Sequence, residues 1–216
     1  MSLRLQSGGR LIDRAQPLTF TFDGKRMQGF EGDTLASALL GNGQVLVNRS
    51  YKCHRPRGII ASGPEEPNAL VGHGQGGRFE PDQRATTTEL FDGLTAMSQY
   101  GSPSLGLDLM AVNQWFAGMM PAGFYYKTFI WPRPFWKSVY EPLIRDAAAS
   151  GLPPKEPDPD VYEHFHAFAD ILIVGGGIAG LQAALAAGAS GARVLLLEQS
   201  PHWGGRAPVD GCLIDD

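Results

Sequence analysis

The stretch from Asp170 to Glu198, DILIVGGGIAGLQAALAAGASGARVLLLE, restricts the fold more than any other part of this 216-residue chain. Ile171 to Val174 is a continuous apolar run, the pattern of a strand in a parallel sheet covered on both faces. It leads straight into Gly175, Gly177 and Gly180 at the G-x-G-x-x-G spacing, and an Ala- and Leu-rich helix is expected from Ile178 to Ala187. Gly175 permits the tight turn, Gly177 lets backbone approach a diphosphate without a Cβ in the way, and Gly180 lets the helix pack close on the strand. The free N-terminal amides of that helix and the positive end of its dipole form an anion site. A second strand, Arg193 to Leu197, ends in Glu198, whose carboxylate can accept both hydroxyls of a ribose and would repel a 2′-phosphate. Those residues point to NAD or FAD rather than NADP. A glycine-rich turn closing an α/β unit around no ligand is the plainer alternative, and it leaves Glu198 unexplained.

A dinucleotide site of this type needs two mononucleotide-binding halves, and only residues 199–216 follow Glu198. The sheet is therefore expected to be incomplete. Either the chain is the front of a longer polypeptide, which is preferred, or a partner subunit completes the sheet. The formal charge of -4 and a pI near 5.7 give no electrostatic reason to expect nucleic acid or an anionic membrane as partner. The first fifteen residues lack the apolar core of a secretory signal, and the cysteines are Cys53 and Cys212 alone, which points to a cytoplasmic protein. The aromatic run from Trp115 to Trp136 is broken by Pro121, Lys127, Pro132, Arg133 and Pro134, so no membrane span is expected there.

The amino-terminal part has a different grammar. Leu18 to Phe22 alternates apolar residues with Thr, Asp23-Gly24 supplies a hairpin turn, and a second strand is expected to run to about Phe30. Asp33 or Thr34 can cap a helix carried by LASALL, which the Gly41-Asn42-Gly43 cluster stops. Gln44 to Val47 reads as a third strand, with others around Asn68 to Val71 and Ala85 to Leu90. The order predicts a small α+β module of β-grasp type, ferredoxin- or ubiquitin-like, over residues 1–100. Residues 101–167 form an aromatic and proline-rich connection. It contains two candidate helices, LDLMAVNQWF and PLIRDAAAS, and an extended linker, Leu152 to Asp160. Residues 168–216 open a Rossmann-type α/β domain.

Taken in order, PLTFTFDGKRMQGFEGDTLASALLGNG, RSYKCHRPRGI, EEPNALV, GFYYKTFIWP and DILIVGGGIAGL resemble the amino-terminal part of the α subunit of heterotetrameric sarcosine oxidases. Related amine and amino-acid dehydrogenase subunits share much of that pattern. The resemblance implies a flavoprotein assembly that oxidises sarcosine to glycine and formaldehyde, or methylene-tetrahydrofolate, with hydrogen peroxide formed from oxygen. It implies a non-covalent NAD on this subunit, FMN and FAD at or on the β subunit, and γ and δ subunits completing the tetramer. A tetrahydrofolate-binding region comes later in the α chain. Carried over by residue, Gly175, Gly177, Ile178, Ala179 and Gly180 match the phosphate turn. Glu198, Gln199 and Ser200 match the adenosine-ribose edge, and Gly205 and Arg206 belong to the glycine doublet that follows. That doublet is shared with flavoprotein oxidoreductases and leaves FAD open as the alternative to NAD. No catalytic residue falls in this stretch, and by itself it is expected to be inactive.

In the dehydrogenase relatives the β-grasp module carries a [2Fe-2S] cluster on four cysteines in the loops after RPRG. Here those loops read IIASGPEEPNALV, and a whole-chain total of two cysteines cannot supply four thiolates. The expectation is no iron-sulfur cluster and no other metal. Cys53 reads as a small half-buried side chain, and His164 and His166 as structural residues. Arg49, Lys52, His54, Arg55 and Arg57 make a basic cluster that could meet a phosphate or an acidic partner face but more often is solvated or pairs with nearby Glu residues, and Trp115 to Trp136 reads as either internal packing or a subunit docking surface. Two further readings remain beside the first: an FAD-binding subunit acting on another amine or amino acid, and a non-catalytic dinucleotide-binding scaffold.

Overall fold

The structure is a computed structural model that describes residues 3–119, 123, 131–147 and 154–211. It divides into two compact units, one of Met1–Gln6 with Ile12–Pro159 and the other of Ser7–Leu11 with Asp160–Asp216.

The first unit is a mixed sheet carrying one helix. β1 (Asp13–Phe22) and β2 (Lys25–Glu31) form an antiparallel hairpin with Phe22 opposite Lys25 and Phe20 opposite Met27. Asp23 (φ 47°) and Gly24 (φ 74°) both take positive φ, the two-residue turn whose twist suits paired strands. The register shifts between Asp13 and Pro17, where proline has no N–H to give the ladder. Phe20 and Phe22 point inward and are fully buried, each contributing about 2 kcal/mol relative to exposure. They pack with Leu35, Leu39, Val47, Val71, Leu90 and Leu94.

α1 (Leu35–Gly41) begins with a capping box. Thr34 Oγ1 accepts from Ser37 N at 3.2 Å, and Ser37 Oγ accepts from Thr34 N at 3.0 Å. Asp33 does another job. Its buried carboxylate takes Arg4 Nη1 at 3.0 Å and Nη2 at 2.7 Å as well as Phe30 N at 2.9 Å, which ties the amino-terminal segment to the hairpin and the helix entry.

The remaining elements depart from the simplest sequence reading. Gln44 to Val47 is not a strand, because Gly43 (φ 78°) redirects the chain and Gln44 N bonds back to Leu39 O at 2.9 Å. The ladder instead joins β3 (Asn48–Arg49) to β4 (Pro56–Arg57). Ala85 to Leu90 is not a strand either. The hydroxyls of Thr87 and Thr88 bond to Arg84 O, closing a turn whose Ala85 and Thr88 carbonyls accept the Ala36 and Leu35 amides. The Thr-rich segment thereby serves the start of α1. Strands do form at β5 (Leu70–His73), β6 (Glu80–Arg84) and β7 (Thr95–Ser98). The sheet order is β2-β1-β7-β5-β6, with β7 parallel to β1 and antiparallel to β5. A helix over a mixed sheet with its first and last strands side by side is the β-grasp arrangement.

LDLMAVNQWF forms a 3₁₀ segment, Leu109–Gln114, rather than an α-helix, started by Asp108, which accepts from Met110 N at 3.1 Å. A π turn, Trp136–Tyr140, runs into α2 (Glu141–Ala147), while the end of PLIRDAAAS and most of the aromatic run from 120 to 130 lie outside the described residues. Residues 154–160 are exposed and extended, as proline spacing dictates.

The second unit is one β-α-β. β8 (Ile171–Val174) and β9 (Val194–Leu197) are parallel and in register from Ile171 opposite Val194 to Val174 opposite Leu197. α3 (Ile178–Ala189) connects them, and α4 (Ala207–Asp210) follows. At the start of both strands Asp170 clamps Arg193 through its backbone N at 2.9 Å and its Nη2 at 2.9 Å, which fixes this register. Among the described residues the sheet stops there, leaving Leu172 58% and Val174 79% exposed although both belong to a strand apolar on each face.

Two interactions in the first unit carry stability predictions. Asp33→Ala removes the buried carboxylate that joins Arg4 to Phe30 N and Ser37, and is expected to cost about 3 kcal/mol of unfolding free energy, measured by urea denaturation. The second concerns Glu66, 1% exposed and bonded to four backbone amides. Burial works to raise its pKa, but the amides of Asn68, Ala61, Ile60 and Ala69 outweigh it and hold the carboxyl below the ordinary value. Its contribution is present above the unfolded pKa of about 4.3 and is lost as pH falls from there through the lower folded value. Thermal unfolding midpoints should drop across that window in the unaltered chain and drop less in Glu66→Gln.

Candidate dinucleotide-binding site

β8 delivers the chain to Gly175, whose φ of 102° suits glycine, and Gly175 N bonds to Leu197 O at 2.8 Å, carrying the strand pairing to the lip of the turn. The three glycines of the motif meet different surroundings. A Cβ on Gly180 would lie 1.8 Å from Gly175 O, so the first turn of α3 rests against the turn itself. A Cβ on Gly177 would meet nothing within 4 Å, and Gly177, with φ -69°, is the N-cap of α3 without a side chain to cap it. The first helical bond runs from Leu181 N to Gly177 O at 2.9 Å, which leaves the amides of Ile178, Ala179 and Gly180 without an acceptor in the helix. Open space at Gly177 and the amides behind it leave the positive end of α3 accessible to an anion.

Glu198, at the end of β9, turns back toward that helix end. Its Oε2 accepts from Gly176 N at 2.5 Å and its Oε1 from Ser200 N at 2.8 Å. The Ser200 and Gly176 donors hold the carboxyl below the ordinary carboxylate value, so it is ionised at neutral pH. The Ser200 hydroxyl and the Gln199 amide add to these donors, and the carboxylate stays partly exposed to a hydroxyl donor from outside. Ser200 therefore helps orient the acid through its backbone and its hydroxyl, whereas the side chain of Gln199 is exposed.

The glycine doublet closes the other side. Gly204 N donates to Gly176 O at 2.8 Å, Gly177 and Gly204 form a parallel bridge, and a Cβ on Gly205 (φ 58°) would lie 3.2 Å from Gly177 Cα. Arg206 stands at the start of α4 and reaches Asp210 at 3.1 Å across one turn. Trp203 is a residue the sequence reading passed over. Its ring packs on the turn so closely that a Cβ on Gly176 would come within 2.4 Å of it. An aromatic residue between the acid and the doublet was the available signal.

Other candidates do not join this site. Of the basic run, Arg49 and His54 are buried: Arg49 Nε donates to Leu105 O at 2.8 Å and its Nη1 to His54 O at 2.9 Å, while His54 Nδ1 lies 2.7 Å from Asp108. These residues brace the loop from Arg49 to His54 against Leu105 to Asp108 instead of forming a solvated patch; Arg55 and Arg57 are exposed. Cys53 is buried and unpaired to sulfur, and His164 and His166 lie in exposed extended chain. No helix among the described residues is long and apolar enough to cross a membrane.

Comparison with known proteins adds to this geometry. Residues 15–101 match a family described as a 2Fe-2S iron-sulfur cluster binding domain, and residues 170–214 a family described as FAD dependent oxidoreductase. Sarcosine oxidase subunit alpha of Rhizobium meliloti (strain 1021) is 55% identical over 99% of this chain and 22% of that subunit. The subunits of the same name from Corynebacterium sp. strains U-96 and P-1 are each 36% identical over 93% of this chain and 16% of their own length. The chain thus spans about a fifth of the length of these relatives. The solved structure of L-proline dehydrogenase from P. horikoshii superposes on 91% of this chain and 28% of that one at a TM-score of 0.45 and 20% identity, too distant a likeness to build on. Along nearly its whole length, this chain is a homologue of one segment of the sarcosine oxidase alpha subunit.

Proposed function

We propose that the chain is the nucleotide-binding front portion of the α subunit of a heterotetrameric sarcosine oxidase, and that the mouth of α3 holds NAD. The observation that carries this reading is the pairing of Glu198 with Gly176 at 2.5 Å, which places an ionised carboxylate beside unused helix amides. The amides of Ile178, Ala179 and Gly180 are suited to a diphosphate, and the carboxylate to the ribose hydroxyls next to it. Gly177 supplies the room between them, and Gly204 and Gly205 support the turn from behind. When bound, the dinucleotide would supply hydride chemistry or act as a structural element. The residues of this chain bind and orient it and do not touch the amine.

Oxidation of sarcosine to glycine with formaldehyde or methylene-tetrahydrofolate and hydrogen peroxide then belongs to a cytoplasmic assembly of α with β, γ and δ subunits, where FMN and FAD sit at or on the partner. Tetrahydrofolate would be bound by α residues beyond this segment, which is inactive by itself. A second reading places FAD in the same mouth, and the match of residues 170–214 to an FAD-dependent oxidoreductase family favours it.

Acid extraction of the gently purified α subunit followed by mass spectrometry separates the two, with NAD+ expected and FAD supporting the second. Two glycine variants separate binding from folding. Gly177→Ala adds a methyl where there is open space and φ is ordinary, so the unfolding midpoint should stay within a few degrees while nucleotide affinity falls about tenfold or more. Gly180→Ala drives a Cβ into Gly175 O and should lower the unfolding midpoint together with the affinity. Glu198→Gln should weaken binding roughly tenfold to a hundredfold by replacing charged hydrogen bonds with neutral ones.

A further inference from the structure

Glu66 lies in the loop that joins β4 to β5, yet it is among the most buried side chains of the first unit. Its Oε2 accepts from Ile60 N at 2.8 Å and Ala61 N at 2.7 Å, and its Oε1 from Asn68 N at 2.7 Å and Ala69 N at 3.1 Å. Four backbone donors converging on one carboxylate make an anion nest filled from within the chain. The loop closes around it through further bonds: Glu66 N donates to Gly63 O at 3.1 Å, Thr86 Oγ1 to the same oxygen at 2.8 Å, and Ala85 N to Ala69 O at 2.9 Å.

The spacing within that nest is informative. Ala61, Glu66 and Ala69, which the carboxylate brings together, have four and then two residues between them, the C-x₄-C-x₂-C spacing of plant-type [2Fe-2S] domains. A fourth, more distant position is required, and the buried Thr86 reaches into the loop from the far side of β6. Residues 15–101 match a 2Fe-2S binding family as a whole. The donor set does not fit the group, however. Two alanines offer no ligand atom, one carboxylate and one hydroxyl cannot replace four thiolates, and Cys53 and Cys212 lie outside these positions.

The match and the mismatch have one physical resolution. A thiolate-bound cluster is an anion whose sulfurs take hydrogen bonds from surrounding backbone amides. Removing it strands inward-facing N–H groups in a buried loop, each costly to leave unpaired. We propose that Glu66 is the internal replacement for that anion: its carboxylate occupies the amide nest at cluster-type positions and lets the β-grasp module fold without iron. Glu66 is a positioning residue with no part in electron transfer.

Two measurements on the full chain test this, and neither depends on which nucleotide the other unit binds. Anaerobic reconstitution of the unaltered chain with ferrous iron and sulfide, then desalting, should leave no stoichiometric iron and no visible absorbance. Uptake of about two irons and two sulfides per chain would overturn the proposal. Hydrogen exchange followed by mass spectrometry should show the peptide covering residues 58–70 exchanging at least tenfold faster in Glu66→Gln, since an amide NH₂ would face two of the four donors. Exchange elsewhere in the sheet should be unchanged. Protection of that peptide equal to that of the unaltered chain would also overturn it. Should the Gln variant not fold, the reconstitution measurement on the unaltered chain still decides.

Discussion

Backbone N–H groups that point into a loop must find an acceptor, and both units of this chain meet that requirement with a glutamate. Glu66 satisfies four amides in a buried loop, and Glu198 holds the Gly176 and Ser200 amides at the end of a strand. The difference in surroundings matters. Glu66 is buried and its acceptor sites are taken by four amides, whereas Glu198 stays partly open to solvent beside the start of α3. The same pairing of amide and carboxylate thus fills one loop and orients an acid at the end of β9.

Much of the fold was legible because its signals were local. Asp23-Gly24 between alternating strands named the hairpin, Thr34 before LASALL named the helix start, and the strand-glycine-helix-strand-acid order named the second unit. What escaped was set by tertiary partners. β7 is a four-residue strand, Thr95–Ser98, with no distinctive alternation; its place at the centre of the sheet depends on pairing with β1 and β5 far away in sequence. The Thr-rich segment after Arg84 carried strand propensity, but its hydroxyls found Arg84 O and its carbonyls found the orphan amides of α1. Arg49 and His54 looked like surface charge in sequence and are internal because Asp108 and the Leu105 carbonyl wait for them.

At the candidate site the glycines and Glu198 were readable, while the lining was not. Nothing in the spacing said that Trp203 would pack on Gly176, or that Gly204 would bond Gly176 O and seat the doublet beneath the turn. Glu66 was invisible for a related reason: its meaning lies in four amides and a spacing shared with two alanines, which no propensity scale records. The missing cysteines were plain in the sequence; the group that took over their neighbours' hydrogen bonds is defined only by the folded loop.

The central claim, a diphosphate on the α3 amides with a sugar on Glu198, is tested most directly by an experimental structure of the intact α subunit purified without added nucleotide. Density for an adenine dinucleotide, its diphosphate at Ile178 to Gly180 and a ribose within hydrogen-bonding distance of Glu198, is the predicted result. A mouth occupied by protein side chains, or a nucleotide bound elsewhere with Glu198 engaged only by Gly176 and Ser200, would contradict it.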